Sequence, residues 1–131
     1  MRMPAPWRGL LLAAALILAG TAILQFTAFQ RAVAALHGAG LEESWGAAFT
    51  GLWVMFAAHL GLIAGFLAVA ALRARMAIDS GLLVCALILA ADTALLGGFM
   101  GMFVGTLLVG IATALVIIAR VVRQVTLAGY S

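Results

Sequence analysis

Almost the whole of this 131-residue chain consists of four long apolar stretches, at residues 9–29, 47–72, 78–98 and 102–122. Each has the roughly 20 helical residues needed to cross a hydrocarbon core of about 30 Å. Only 8% of the residues are charged, and the mean hydropathy is +1.28. A typical soluble protein is about 25% charged, so a soluble domain is excluded. The sequence predicts an all-α integral membrane protein: one four-helix transmembrane domain over residues 1–131.

The distribution of arginine predicts how this bundle is oriented. Six of the seven basic residues lie before the first span, between the second and third, or at the end of the fourth: Arg2, Arg8, Arg73, Arg75, Arg120 and Arg123. Only Arg31 lies in the first loop. Because cytoplasmic loops carry an excess of Lys and Arg, both termini are predicted to be cytoplasmic, in a bacterial inner membrane. The basic residues that give the net charge of +3 are therefore expected to contact anionic lipid headgroups, and no nucleic-acid partner is expected.

The connections between the spans predict how the helices follow one another. Residues 30–37 are expected to continue the first helix beyond the membrane, until the Gly-Ala-Gly sequence at 38–40 ends it. Ser44 is a candidate N-cap for the second helix. Short turns at residues 73–77 and 97–101 require neighbouring spans to run antiparallel. The predicted architecture is therefore an antiparallel up-down-up-down bundle.

Glycines at helical spacing predict where helices approach one another closely. Six positions stand out in the second, third and fourth spans: Gly61, Gly65, Gly97, Gly101, Gly105 and Gly110. Small residues let helix backbones come together, which matters in lipid because no hydrophobic effect drives helices to associate. The pattern does not distinguish contacts within one chain from contacts between chains.

Asp92 is the residue whose position most needs an explanation. A carboxylate at bilayer depth costs about 2.5–3.5 kcal/mol on insertion scales, so it usually pairs, transfers protons or binds a ligand. At a rise of 1.5 Å per residue it lies about 9 Å below the outer end of its span. Five other polar side chains are predicted near this level: Thr21, Gln25, Trp53, Thr93 and Thr106.

Three interpretations of this polar layer remain open. In the first, the threonines, Gln25 and Trp53 donate hydrogen bonds to Asp92 and fasten the bundle. In the second, the layer is the floor of a cavity in which Asp92 binds a proton, a cation or a polar ligand group. In the third, Asp92 meets an arginine or the backbone of a partner subunit.

His59 is the other candidate, about 18 Å from the start of its span and hence near the middle of the membrane. Its helical neighbours, such as Met55, Phe56 and Phe66, are bulky. They lie away from the small-residue stripe of the same span, which comprises Ala57, Gly61, Ala64, Gly65, Ala68 and Ala71. The imidazole is therefore expected to face lipid, a partner or a flat cofactor, unless it is hydrogen-bonded inside the bundle. Its depth differs by about 9 Å from that of Asp92, so a direct pair would need helix tilt or a bridging water. Ligation of a haem or chlorin by His59 is an alternative, and otherwise no cofactor is expected.

The sequence contains no catalytic motif, phosphate-binding loop or metal-ligand spacing, so an enzyme is not expected. Because so little of the chain lies outside the membrane, the leading hypothesis is an accessory or structural subunit. Such a subunit would pack against itself or against a larger membrane complex. The alternative is a small transporter or ligand-binding protein that uses the polar layer around Asp92. The third is pigment, haem or quinone binding at His59.

Overall fold

The chain is all-helical in a computed structural model that describes residues 5–40, 43–73, 75 and 78–129. The helices are α1 (Pro6–Gly38), α2 (Glu43–Leu72), α3 (Asp79–Met100) and α4 (Val104–Ala128), and the described residues contain no β-strand. Each of the four helices is long and apolar enough to cross a membrane. The prediction of an all-helical chain with four candidate spans is therefore confirmed. Arg2, on which the orientation argument partly depends, lies outside the described residues.

The ends of α1 and α2 differ in how well the sequence predicts them. α1 continues through residues 30–37 to Gly38, as predicted. The chain then turns at residues 39–40, where Gly40 has a φ of +65°, a left-handed conformation that glycine adopts without steric cost. α2 begins at Glu43, so Ser44 lies inside the helix and its prediction as the N-cap is wrong.

The turn between α3 and α4 lies further along the chain than predicted. Gly97 is still helical, because α3 continues to Met100. The turn comprises residues 101–103, and Gly101 has a φ of +79°. The glycine that ends α3 is thus the one whose backbone conformation requires glycine.

Side-chain contacts establish that neighbouring helices run antiparallel. Near the start of α1 the Trp7 ring lies 5.9 Å from the guanidinium of Arg123, near the end of α4. At the start of α3, Asp79 accepts a hydrogen bond of 2.9 Å from Arg120. We call this end, which holds the start of α1 and the end of α4, the basal end. The opposite end, with the α1–α2 and α3–α4 turns, is the apical end.

The bundle is open along one seam. α1 packs against α2 and α4, and α3 packs against α4. The backbones of α2 and α3 make at most isolated close approaches among the described residues, although a short connection joins the two helices. Larger side chains separate them: near the basal end the Phe66 ring lies against Gly81, where a Cβ would come within 3.0 Å of it. We call this separated α2/α3 boundary the seam.

Buried side chains recur at alternating intervals of three and four residues. On α2 one such row is Ala57, Leu60, Ala64, Leu67 and Ala71, and on α4 one is Thr106, Val109, Thr113 and Val116. This is the spacing at which helices interlock in a left-handed bundle. Each helix therefore presents one narrow face to its neighbours, and that face decides which polar residues meet.

Two of the predicted glycines lie at the α3/α4 contact. A Cβ at Gly97 would lie 3.7 Å from the Cγ2 atom of Thr106. A Cβ at Gly110 would lie 3.4 Å from the Cγ2 atom of Thr93. At these distances an added methyl group would already touch the facing threonine, so a larger side chain would have to displace it.

The other predicted glycines make no such contact with another helix. Gly61 and Gly65 lie on an exposed face of α2, where an added Cβ would meet nothing within 4 Å. Gly101 forms the apical turn, and Gly105 lies beside the ring of Phe103, its own neighbour in sequence. Only part of the predicted small-residue pattern therefore packs within this chain.

Candidate functional site

His59 and Asp92 form a direct pair across the seam. The imidazole Nε2 and the carboxylate Oδ2 are 3.0 Å apart, which is a hydrogen bond whose proton is held by one atom or the other. The prediction that the two residues lie at different depths is wrong. Each lies thirteen residues from the basal end of its helix, His59 from Leu72 and Asp92 from Asp79. At 1.5 Å per residue both are therefore about 20 Å from the basal end.

The pair is partly accessible from the outside of the bundle. The His59 side chain is 37% exposed and the Asp92 side chain is 17% exposed. The ring of Phe56 stacks on the imidazole, with centroids 6.3 Å apart and an interplanar angle of 28°. In the part of the chain that the structure describes, His59 Nδ1 and Asp92 Oδ1 have no hydrogen-bond partner. Each residue thus keeps one free polar atom at the level of the pair.

The threonines of the predicted polar layer do not bind Asp92. The hydroxyl of Thr21 donates to the carbonyl of Ile17 at 2.8 Å, and that of Thr93 donates to Leu89 at 2.8 Å. Thr106 donates to the carbonyl of Gly101 at 2.9 Å. Threonine in an apolar helix readily returns its hydroxyl to the preceding turn. The interpretation in which these hydroxyls fasten Asp92 is therefore wrong.

A second feature is a cavity of about 570 Å³ in the apical half of the bundle. It exists because the α1–α2 hairpin is longer than the α3–α4 hairpin, with helices of 33 and 30 residues against 22 and 25. The shorter hairpin ends beside the walls of the longer one and leaves a space between them. We call this space the apical cavity.

The walls of the apical cavity are mainly aromatic and aliphatic. The aromatic lining residues are Phe29, Phe49, Trp53, Phe56 and Phe103. Three members of the predicted polar layer line the cavity, namely Thr21, Gln25 and Trp53, whereas Asp92, Thr93 and Thr106 do not. The predicted layer is thus divided between the cavity, the seam and the α3/α4 contact.

Most polar groups of the cavity wall already have partners in the chain. The indole Nε1–H of Trp53 donates to the backbone carbonyl of Gln25 at 2.9 Å and joins α2 to α1. The Thr50 hydroxyl donates to the carbonyl of Gly46 at 2.8 Å. The Gln25 side-chain amide lines the cavity and has no hydrogen-bond partner among the described residues. It supplies one carbonyl acceptor and two N–H donors to an otherwise apolar space.

The aromatic lining is the part of the site that the sequence interpretation missed. A signal was present on α2, where Phe49, Trp53 and Phe56 recur at intervals of four and three residues. Such residues share one helix face. The spacing of these three residues identifies an aromatic stripe on α2. The stripe becomes the wall of a cavity only because the shorter hairpin ends beside it.

The same Phe56 connects the two features, because it lines the cavity and also stacks on His59. The pair lies behind this ring rather than in the cavity wall. Nε2 of His59 is engaged with Asp92, which leaves Nδ1 as the nitrogen free to bind a metal. Haem or chlorin binding at His59 stays a prediction, which the visible absorption spectrum of the purified protein tests.

Comparison with protein-family models, with curated proteins and with solved structures finds no match for this chain.

Proposed function

We propose that this protein binds an apolar or amphipathic small molecule within the membrane, in the apical cavity. The observation that carries the proposal is a cavity of about 570 Å³ with aromatic and aliphatic walls. Pockets for small molecules have volumes of about 300–1,000 Å³, with mostly apolar walls and a few polar groups that fix orientation. The apical cavity has this size and composition.

The lining indicates the chemistry of the ligand. None of the described lining residues is charged, so an ionic group would enter without a counter-charge. The unpaired amide of Gln25 would bind one carbonyl or hydroxyl group. The proposed ligand is therefore a neutral ring or chain that carries a single such group.

Filling the cavity tests this proposal. In Ala32→Trp the indole would occupy the space from the α1 wall, whereas Ala34 is exposed and lies outside the lining, so Ala34→Trp is the matched control. The probe is azi-adamantane, a small neutral photolabel, with labelled residues located by mass spectrometry in nanodiscs. We expect Ala32→Trp to reduce labelling of Phe49 and Trp53 at least about tenfold, equivalent to about 1.4 kcal/mol of binding.

In the control Ala34→Trp, Phe49 and Trp53 should be labelled as strongly as in the parent protein. Labelling of the lipid-exposed Leu62 should be equal in all three proteins. Equal labelling of Phe49 in the two tryptophan variants would contradict the proposal. So would labelling of the parent protein confined to lipid-exposed positions.

An accessory subunit is the second candidate function, and the exposed glycines of α2 favour it. Gly61 and Gly65 are four residues apart and leave open space above the helix backbone. A helix of a second copy or of a larger complex could approach closely there. A bulky side chain at Gly61 would then abolish association, measured as native mass in mild detergent, without unfolding the bundle.

We further propose that the bundle lies in a bacterial inner membrane with both termini in the cytoplasm, as the arginine distribution favours. Cys85 is buried, and Cys85→Ala supplies a background without cysteine. In that background, Ala39→Cys at the apical turn should react with a membrane-impermeant maleimide in intact cells. Arg75→Cys should react only after permeabilisation. The reverse pattern would mean the opposite orientation.

A further inference from the structure

We infer that the His59–Asp92 pair is a proton-binding site, and that the bound proton ties α2 to α3 across the seam. The inference does not depend on a ligand in the apical cavity. It starts from the 3.0 Å contact between His59 Nε2 and Asp92 Oδ2. Among the described residues this is the only side-chain hydrogen bond between α2 and α3.

This single hydrogen bond matters because the backbones of α2 and α3 do not pack closely along the seam. Elsewhere neighbouring helices are held by close packing of narrow faces, but the backbones of α2 and α3 are apart along the described seam. The contact of Phe66 with Gly81 lies towards the basal end. At the level of the pair, the hydrogen bond is therefore the connection that a change of protonation would alter.

Among the described side chains, no other charge is close enough to set the protonation of the pair. The charged residues and His37 lie near the helix ends: Arg8, Arg31 and His37 on α1, Asp79 on α3, and Arg120 and Arg123 on α4. The remaining titratable group of these helices, the buried thiol of Cys85, lies seven residues from Asp92 on α3, about 10 Å along the helix. On α3, Asp79 is about 20 Å away along the helix and is occupied by Arg120. The two members of the pair must therefore neutralise each other.

Mutual neutralisation requires one bound proton. With that proton the pair is neutral overall, either as imidazolium and carboxylate or as imidazole and carboxylic acid. Without it, a carboxylate charge remains at a depth where ionised groups are costly and water is drawn in. Loss of this proton should therefore loosen the seam.

Solid-state nitrogen NMR of the imidazole tests proton binding. His37→Gln leaves His59 as the only histidine, since the chain contains two. We expect the pH at which the His59 imidazole loses its proton to differ between the parent pair and Asp92→Asn, where His59 has no carboxylate partner. Identical titration of His59 with and without the Asp92 carboxylate would overturn the inference.

A distance measurement tests whether the bound proton holds α2 close to α3. Spin labels at the exposed positions Leu62 and Leu87, in the Cys85→Ala background, report the separation of α2 and α3. The separation should increase at alkaline pH in the parent pair. In the double variant His59→Gln with Asp92→Asn, two amides can still hydrogen-bond but neither titrates, so the separation should not depend on pH. A pH-dependent separation of the same size in that variant would also overturn the inference.

Discussion

Gly110→Leu is expected to lower the free energy of unfolding of the bundle by about 1–3 kcal/mol, the usual cost of overpacking a close contact. A Cβ at Gly110 would already lie 3.4 Å from the Cγ2 atom of Thr93, and the remaining atoms of leucine would have to displace that side chain. Thr93 is itself held by its bond to Leu89 and lies 3.4 Å from the Thr113 hydroxyl. Unfolding in mixed micelles of increasing SDS fraction, followed by circular dichroism, measures the loss.

Gly61→Leu is the matched control, because it makes the same substitution at a helical glycine with open space around it. It should leave the stability of the isolated bundle within about 0.5 kcal/mol of the parent, as surface substitutions do. Equal destabilisation by the two variants would contradict the assignment of Gly110 to an internal contact and of Gly61 to an outer face. Loss of a partner subunit from Gly61→Leu alone would support the accessory-subunit candidate.

The helices themselves could be predicted because the signals that define them are local. Long apolar runs identify each candidate span, and the glycine at position 40 ends the first helical segment wherever the neighbouring helices lie. Ser44 was misplaced because the side-chain pattern fixes a helix start only to within one or two residues.

The contacts between helices could not be predicted to the same degree, because they depend on rotation and relative depth. The small-residue stripe of α2 combined two faces, of which only the one with Ala57, Ala64 and Ala71 is buried. The sequence-based depths of His59 and Asp92 are counted from the apical ends of their spans, but α2 extends further in that direction than α3 does. Measured from the shared basal connection, the two residues lie level.

The candidate site depends on the same global quantities. Thr21, Gln25 and Trp53 do lie near one level and line one cavity, as depth alone suggested. The direction in which each hydroxyl donates follows from the local backbone, which hydropathy does not describe. The cavity itself results from the unequal lengths of two hairpins, a property of no single segment.

A double-mutant cycle at the seam should separate the structural value of the pair from its chemistry. His59→Leu is expected to destabilise the bundle by about 3 kcal/mol, because it leaves the largely buried Asp92 carboxylate without its partner. Asp92→Leu should cost less, since an imidazole without a partner can remain neutral. The double leucine variant should unfold within about 1 kcal/mol of the parent, because an apolar pair needs no neutralisation.

The same SDS titration measures all four proteins, and the coupling free energy follows from the cycle. Losses that simply add would mean that the two side chains do not interact, and a double variant as unstable as His59→Leu would mean that the pair itself stabilises the fold. Recovery of stability in the double leucine variant, which is the expected result, has a different consequence. If two leucines hold the seam as well as His59 and Asp92 do, folding does not require a titratable pair there, as expected if the pair serves to bind a proton.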